Sequence, residues 1–156
     1  MDAVYLHLVL NHIPVWGTIF GFVLLLVGFI RRSDDLQRAG LITFVVVAVL
    51  TIPVYLSGRA AYEPMEELLE DIDPAAEGFI DQHETAGLIA FLAVLLLGIV
   101  ALGTLLQWQR AEIARRLVIV SLVLGIIVGG IVGWTANIGG QIRHTEIRAG
   151  FQPPER

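Results

Sequence analysis

The sequence predicts an all-α fold: an integral membrane four-helix bundle with a short amphipathic surface helix in the outer loop. Three observations lead there. Of the 156 residues, 56% are hydrophobic and only 16% are charged, against about 25% charged in an ordinary soluble domain. Four stretches contain no Asp, Glu, Lys or Arg: Ala3 to Ile30, Ala39 to Gly58, Thr85 to Gln109 and Leu117 to Ile142, of 28, 20, 25 and 26 residues. A helix rises about 1.5 Å per residue and needs roughly 20 apolar residues to cross a ~30 Å hydrocarbon core, so each stretch is long enough to span. The arginines, finally, gather at the ends of these stretches and are unequally shared between the two sides.

Taken in order, the first span covers about 5–30. Its opening, Met1-Asp2-Ala3, lacks a basic n-region, and no A-x-A-like site follows, so it reads as a retained helix rather than a cleaved signal peptide. The second span covers about 39–58. Beyond it, Glu63-Pro64 offers proline at a first helical turn, and Met65, Leu68, Leu69 and Ile72 recur at i, i+3, i+4 and i+7 before Asp73-Pro74. This predicts an amphipathic helix over about 63–73, whose other face carries Glu66, Glu67, Glu70 and Asp71. That face reads either as a solvated lid or as a docking patch for a basic periplasmic partner such as a cytochrome c. The third and fourth spans cover about 84–109 and 117–142, and residues 1–156 form one transmembrane domain.

Four spans put both termini on one side. The other side holds Arg31, Arg32, Arg38, Arg110, Arg115 and Arg116 against three acids, and the terminal side holds four arginines against twelve acids. The positive-inside rule then makes the six-arginine side cytoplasmic and both termini periplasmic, in a bacterial inner membrane. A formal charge of -5 disfavours a nucleic-acid partner. The lipid bilayer and other membrane subunits are the expected surroundings. With no cysteine, thiol chemistry, iron-sulfur clusters and thiolate zinc sites are excluded. Mid-span acids, the mark of ion pathways, are absent.

The four histidines, His7, His12, His83 and His144, all fall at the terminal side. Counted from the nearest inner arginine, His7, His83 and His144 share one level, whereas His12 sits about 7 Å deeper. On the fourth span Ser121, Gly125, Gly129, Gly133 and Gly140 form a stripe of small residues, and helical phase carries His144 onto it. On the third, Gly87 and Gly98 share a face with His83. These glycines, Gly125, Gly129, Gly133, Gly87 and Gly98, are expected at helix contacts. His7 and His12 point about 140° apart, so only distortion, which Pro14 offers, lets both serve one site.

Leu6-His7-Leu8-Val9-Leu10-Asn11-His12-Ile13-Pro14 and Gly139-Gly140-Gln141-Ile142-Arg143-His144 resemble the H-P-x-x-x-H-F-P opening and G-G-x-x-x-x-H closing elements of a bacterial four-helix membrane family of unknown function. His83 falls where that family keeps a histidine at the start of helix three. Relatives fused to Rieske or cytochrome c domains imply a redox setting. This chain differs in Leu8, where proline is usual, in Asn11, and in a longer acidic outer loop.

Four histidines at one rim suit a bound centre, since neutral imidazole ligates haem iron, copper and zinc. The leading expectation is a periplasm-facing haem b protein or subunit for electron transfer in a respiratory or photosynthetic chain. Its ligands are His83 and His144, paired by phase, with His12 or His7 as the alternative or second set. A cofactor-free structural accessory subunit of a larger membrane complex is the second reading. A copper or zinc site built from His7, His83 and His144, with Glu63 or Glu84 nearby, is the third. None requires a stand-alone enzyme.

Overall fold

A computed structural model of the chain describes residues 3–70, 73 and 76–152. These residues form five α-helices and one 3-10 turn, with no strand among them. The helices are α1 (Ala3–Leu10), α2 (Ile13–Arg31), α3 (Asp34–Glu70), α4 (Ala76–Leu106) and α5 (Ala111–Arg143), followed by the turn Thr145–Ile147. α2, α3, α4 and α5 run up and down and close into a ring, with α2 against α3 and α5, and α4 against α3 and α5. Together α1 and α2 form one interrupted span, so four segments are long and apolar enough to cross a membrane. The chain is a multi-pass membrane protein.

Heptad spacing explains why the helices lie side by side. Buried positions on α2 are Pro14, Thr18, Gly21, Leu25 and Gly28, and on α5 they include Ala114, Val118, Ser121, Gly125, Val128, Val132 and Thr135. Steps of four and three in alternation keep a seam on one side of a helix supercoiled to 3.5 residues per turn. Leu25, Leu41, Phe44, Leu97, Val118 and Val128 fill the centre. The opposite faces expose Phe20, Ile30, Ile99, Leu106 and Ile126, as lipid contact requires. Buried hydroxyls at Thr51, Thr104 and Thr135 donate to the carbonyls four residues earlier and so are satisfied within their own helices.

Two short turns close the end opposite the termini. Arg32 adopts the left-handed conformation (φ 53°), and Ser33 N–H donates to Gly28 O at 2.9 Å, ending α2 within one residue. Asp34 and Asp35 then occupy the first turn of α3, where the helix dipole favours them. The Arg38 guanidinium lies 5.0 Å from the centre of the Trp108 ring and ties the first turn to the second.

Two helix boundaries differ from the sequence expectation. The amphipathic segment from 63 is helical but is not a separate surface helix; it continues α3 through Pro64 to Glu70. No breaker lies between Gly58 and Glu63, and Pro64 removes only one hydrogen bond near the helix end. The extension is held by Tyr62, whose hydroxyl donates to Asp81 Oδ1 at 2.6 Å, and by an apolar cluster of Ala76 and Ile80 with Tyr62, Met65 and Ile142. Residues 71 and 72 of the expected helix lie outside the described residues. The first span, expected as one helix over 5–30, is broken at Asn11 and His12. Pro14 has no N–H for Leu10 O, so α1 closes with Asn11 N–H on His7 O and α2 restarts with Trp16 N–H on His12 O.

Candidate functional site

The break in the first span frees α1 to lean on α3, while α2 stays in the ring. At this end the bundle opens into a cavity of ≈ 460 Å³, within the range of small-molecule and cofactor sites. Its walls come from all five helices and are mostly apolar, with Val15, Val54, Ala90, Phe91, Val94 and Val132 among the lining residues. Tyr55 and Phe91 stack across α3 and α4 with ring centres 4.4 Å apart. All four histidines line this one space.

The structure pairs His7 with His83. Their ring centres lie 6.2 Å apart with the planes at 70°. His7 Nδ1 is 3.1 Å from Val54 O, and His83 Nδ1 is 3.1 Å from Thr135 O. A carbonyl only accepts, so each Nδ1 carries a proton, and in the neutral ring each Nε2 keeps its lone pair. Metal-binding histidines are characteristically held this way, their other nitrogen donating to a fixed acceptor. Glycine makes both arrangements possible. A Cβ on Gly58 would meet His7 Cε1 at 2.8 Å, and one on Gly139 would meet His83 Cε1 at 2.7 Å. Gly58 follows Val54 by four residues, as Gly139 follows Thr135, so each ring lies on a glycine one turn beyond the carbonyl it binds. The same device is built twice, once in each half of the chain.

The structure thus sets His83 beside His7, and not beside His144 as helical phase suggests, although His144 lines the same cavity. His144 lies one residue past the end of α5, with φ −103° and ψ 84°, and helical phase no longer applies to it. Its side chain is exposed, and Nδ1 contacts Glu146 Oε1 at 2.9 Å. The Glu146 carboxyl is held below the usual carboxylate range by a backbone N–H of its own residue and then by His144. His12 is exposed at the helix break and lines the same cavity. Among the described residues no group of three His, Asp or Glu side chains comes close enough to hold a bare metal ion. Glu84 lines the cavity, and Glu63 does not.

The glycine expectations divide. Gly98 abuts Ala48, and a Cβ on Gly125 would meet Phe22 Cδ2 at 3.1 Å, so both lie at helix contacts. Gly87, Gly129 and Gly133 have nothing within 4 Å of an added Cβ, so they pack against no other helix of this chain. A ladder of i+4 steps drifts about 40° per step at 100° per residue, so Gly125, Gly129 and Gly133 leave the seam that Val128 and Val132 follow. Gly87 instead lines the cavity. Of the acidic face, Glu67 is exposed; Asp71 and the side chains of Glu66 and Glu70 lie outside the described residues.

Sequence reasoning missed Gly58, Gly139 and Arg148. A signal existed for the first: Gly58 lies as many residues beyond Asp34 as His7 lies before Arg31, which sets the two at one height. Arg148 had no such signal. It donates from Nε to Gln141 O at 2.8 Å and from Nη2 to Ile142 O at 3.2 Å, pairs with Asp73 Oδ2 at 2.8 Å, and covers the Phe79 ring. It thereby caps α5 and ties it to the start of α4, one turn from His83.

Comparison with family models, with curated proteins and with solved structures finds no match to this chain.

Proposed function

We propose that this protein binds a haem b in the cavity, with His7 and His83 as its two axial ligands, and works in membrane electron transfer. The observation that carries the reading is the His7 and His83 pair, two imidazoles facing one space with both Nε2 atoms free to ligate. Imidazole nitrogens ligate transition metals at about 2.0–2.1 Å, which sets two facing ring centres roughly 6 Å apart. Their observed separation is 6.2 Å. A bare zinc ion needs three or more protein ligands, and the described residues bring no such group together. A porphyrin supplies four nitrogens of its own, so two histidines suffice.

When bound, the haem would supply a one-electron couple. The chain's own residues account for the rest. Val54 O and Thr135 O fix the tautomer and tilt of the rings, which makes each Nε2 a better donor. Gly87 leaves space along α4 where any side chain would intrude. Val94, Val132 and Phe91 exclude water from the cavity they line. With six arginines at the opposite end, the site opens toward the periplasmic face, within reach of a periplasmic or membrane-bound partner.

Purified protein from cells with ample haem supply is expected to show a reduced α-band of low-spin, six-coordinate haem. His7→Ala and His83→Ala should each abolish that band, and His144→Ala should retain it. A colourless wild-type protein would refute the proposal.

A further inference from the structure

Two arginines line the mouth of the cavity, and their placement points to the class of molecule the cavity accepts. Arg59 follows Gly58, the glycine under His7, and Arg143 lies one turn beyond Gly139, the glycine under His83. The two halves of the site thus each carry one arginine within a turn of the glycine that seats a histidine, and both arginines line the cavity. Among the described residues Arg116 pairs with Glu112, Arg148 with Asp73, and Arg38 lies over Trp108, while Arg31, Arg32, Arg110 and Arg115 form no ion pair but stand at the opposite end, away from the cavity. Among the described residues, Arg59 and Arg143 form no ion pair, although Glu84 lines the same cavity. Both side chains are exposed at the edge of an apolar space, where a planar guanidinium can receive an anion such as a carboxylate or a phosphate.

We infer that the occupant is an amphiphilic dicarboxylate, its apolar body in the cavity and its two carboxylates on Arg59 and Arg143. This rests on the haem reading and deepens it, because it fixes the ligand's orientation: the carboxylate edge faces the mouth and the apolar edge faces Val94 and Val132. It also sets a selectivity. A tetrapyrrole whose carboxylates are esterified keeps its iron chemistry and its apolar body and loses only the contacts at the mouth.

The test uses full-length protein, produced without haem and purified in detergent, titrated with haem and separately with haem dimethyl ester. Wild type should bind haem about tenfold more tightly than the ester, the scale of two partly exposed carboxylate pairs. The double variant Arg59→Gln with Arg143→Gln should bind both ligands alike, with the ester affinity and the bis-imidazole spectrum of wild type. The unchanged ester binding shows that the variant is folded. Equal affinity of wild type for the two ligands, or discrimination that survives in the double variant, would overturn the inference while leaving His7 and His83 as ligands. Binding of neither ligand would remove the haem reading and this inference together.

Discussion

The two ends of this bundle use the same residue for opposite purposes. Near the short turns, glycine brings backbones together: a Cβ on Gly40 would meet Leu25 N at 2.6 Å and Gly21 O at 2.8 Å, and one on Gly28 would meet Gln37 N at 2.6 Å. Toward the termini, Gly58 and Gly139 receive histidine rings, and Gly87 borders empty space. Between them the core changes from interlocked Leu25, Leu41, Phe44 and Leu97 to a cavity. Helix contact in lipid depends on close packing rather than on a hydrophobic drive. The packed end therefore holds the bundle, and that leaves the histidine end room to be hollow.

Substitutions separate these roles, and the largest effect is expected at the packed end. Gly40→Ala places a methyl against main-chain atoms that cannot rotate away, and should cost about 3 kcal/mol of unfolding free energy in detergent, as overpacking does. Arg148→Ala follows, at about 2 kcal/mol. It removes two hydrogen bonds to carbonyls of the last turn of α5 and the ion pair with Asp73, in which Arg148 is only 12% exposed. Because the loss falls at the outer ends of α4 and α5, amide exchange should rise there and stay unchanged around Phe44. Gly87→Ala has the opposite sign. With nothing within 4 Å of the new methyl, the helix should gain about 0.5–1 kcal/mol from reduced backbone freedom. Unfolding of the ligand-free protein tests this, and a loss of stability would mean that Gly87 is a packing residue after all. Smallest is Glu112→Gln, which breaks the exposed pair with Arg116 at the packed end. It should change stability by no more than about 0.5 kcal/mol, and less at high salt.

The contrast between the ends also marks what the sequence discloses. Four charge-free stretches were enough to locate the spans, because crossing a bilayer is a matter of length and composition. The gathering of histidines at one end was visible by counting from the arginines, and Pro14 signalled the break that turns α1 toward α3. Pairing was not visible. His144 was assigned by extending helical phase past Arg143, where the helix ends, along a glycine ladder that had already drifted off the seam. The seat of each histidine depends on a carbonyl and a glycine of the facing helix, Val54 with Gly58 and Thr135 with Gly139. Such contacts are set by helix rotation and height, which one-dimensional periodicity leaves free. Pro64 misled in a similar way: a proline that suits the start of a helix is also tolerated near the end of a long one.

The claim that the hollow end is built around His7 and His83 is tested most directly by chemical rescue. His83→Ala leaves a space against Gly139 and Thr135 that free imidazole can occupy. In haem-loaded protein the low-spin, six-coordinate spectrum should be lost in His83→Ala and in His7→Ala, and should return in both as imidazole is added. His144→Ala should keep that spectrum throughout, with no response to imidazole. Loss of the spectrum in His144→Ala, with His7→Ala unaffected, would contradict this account and restore the pairing that helical phase alone suggested.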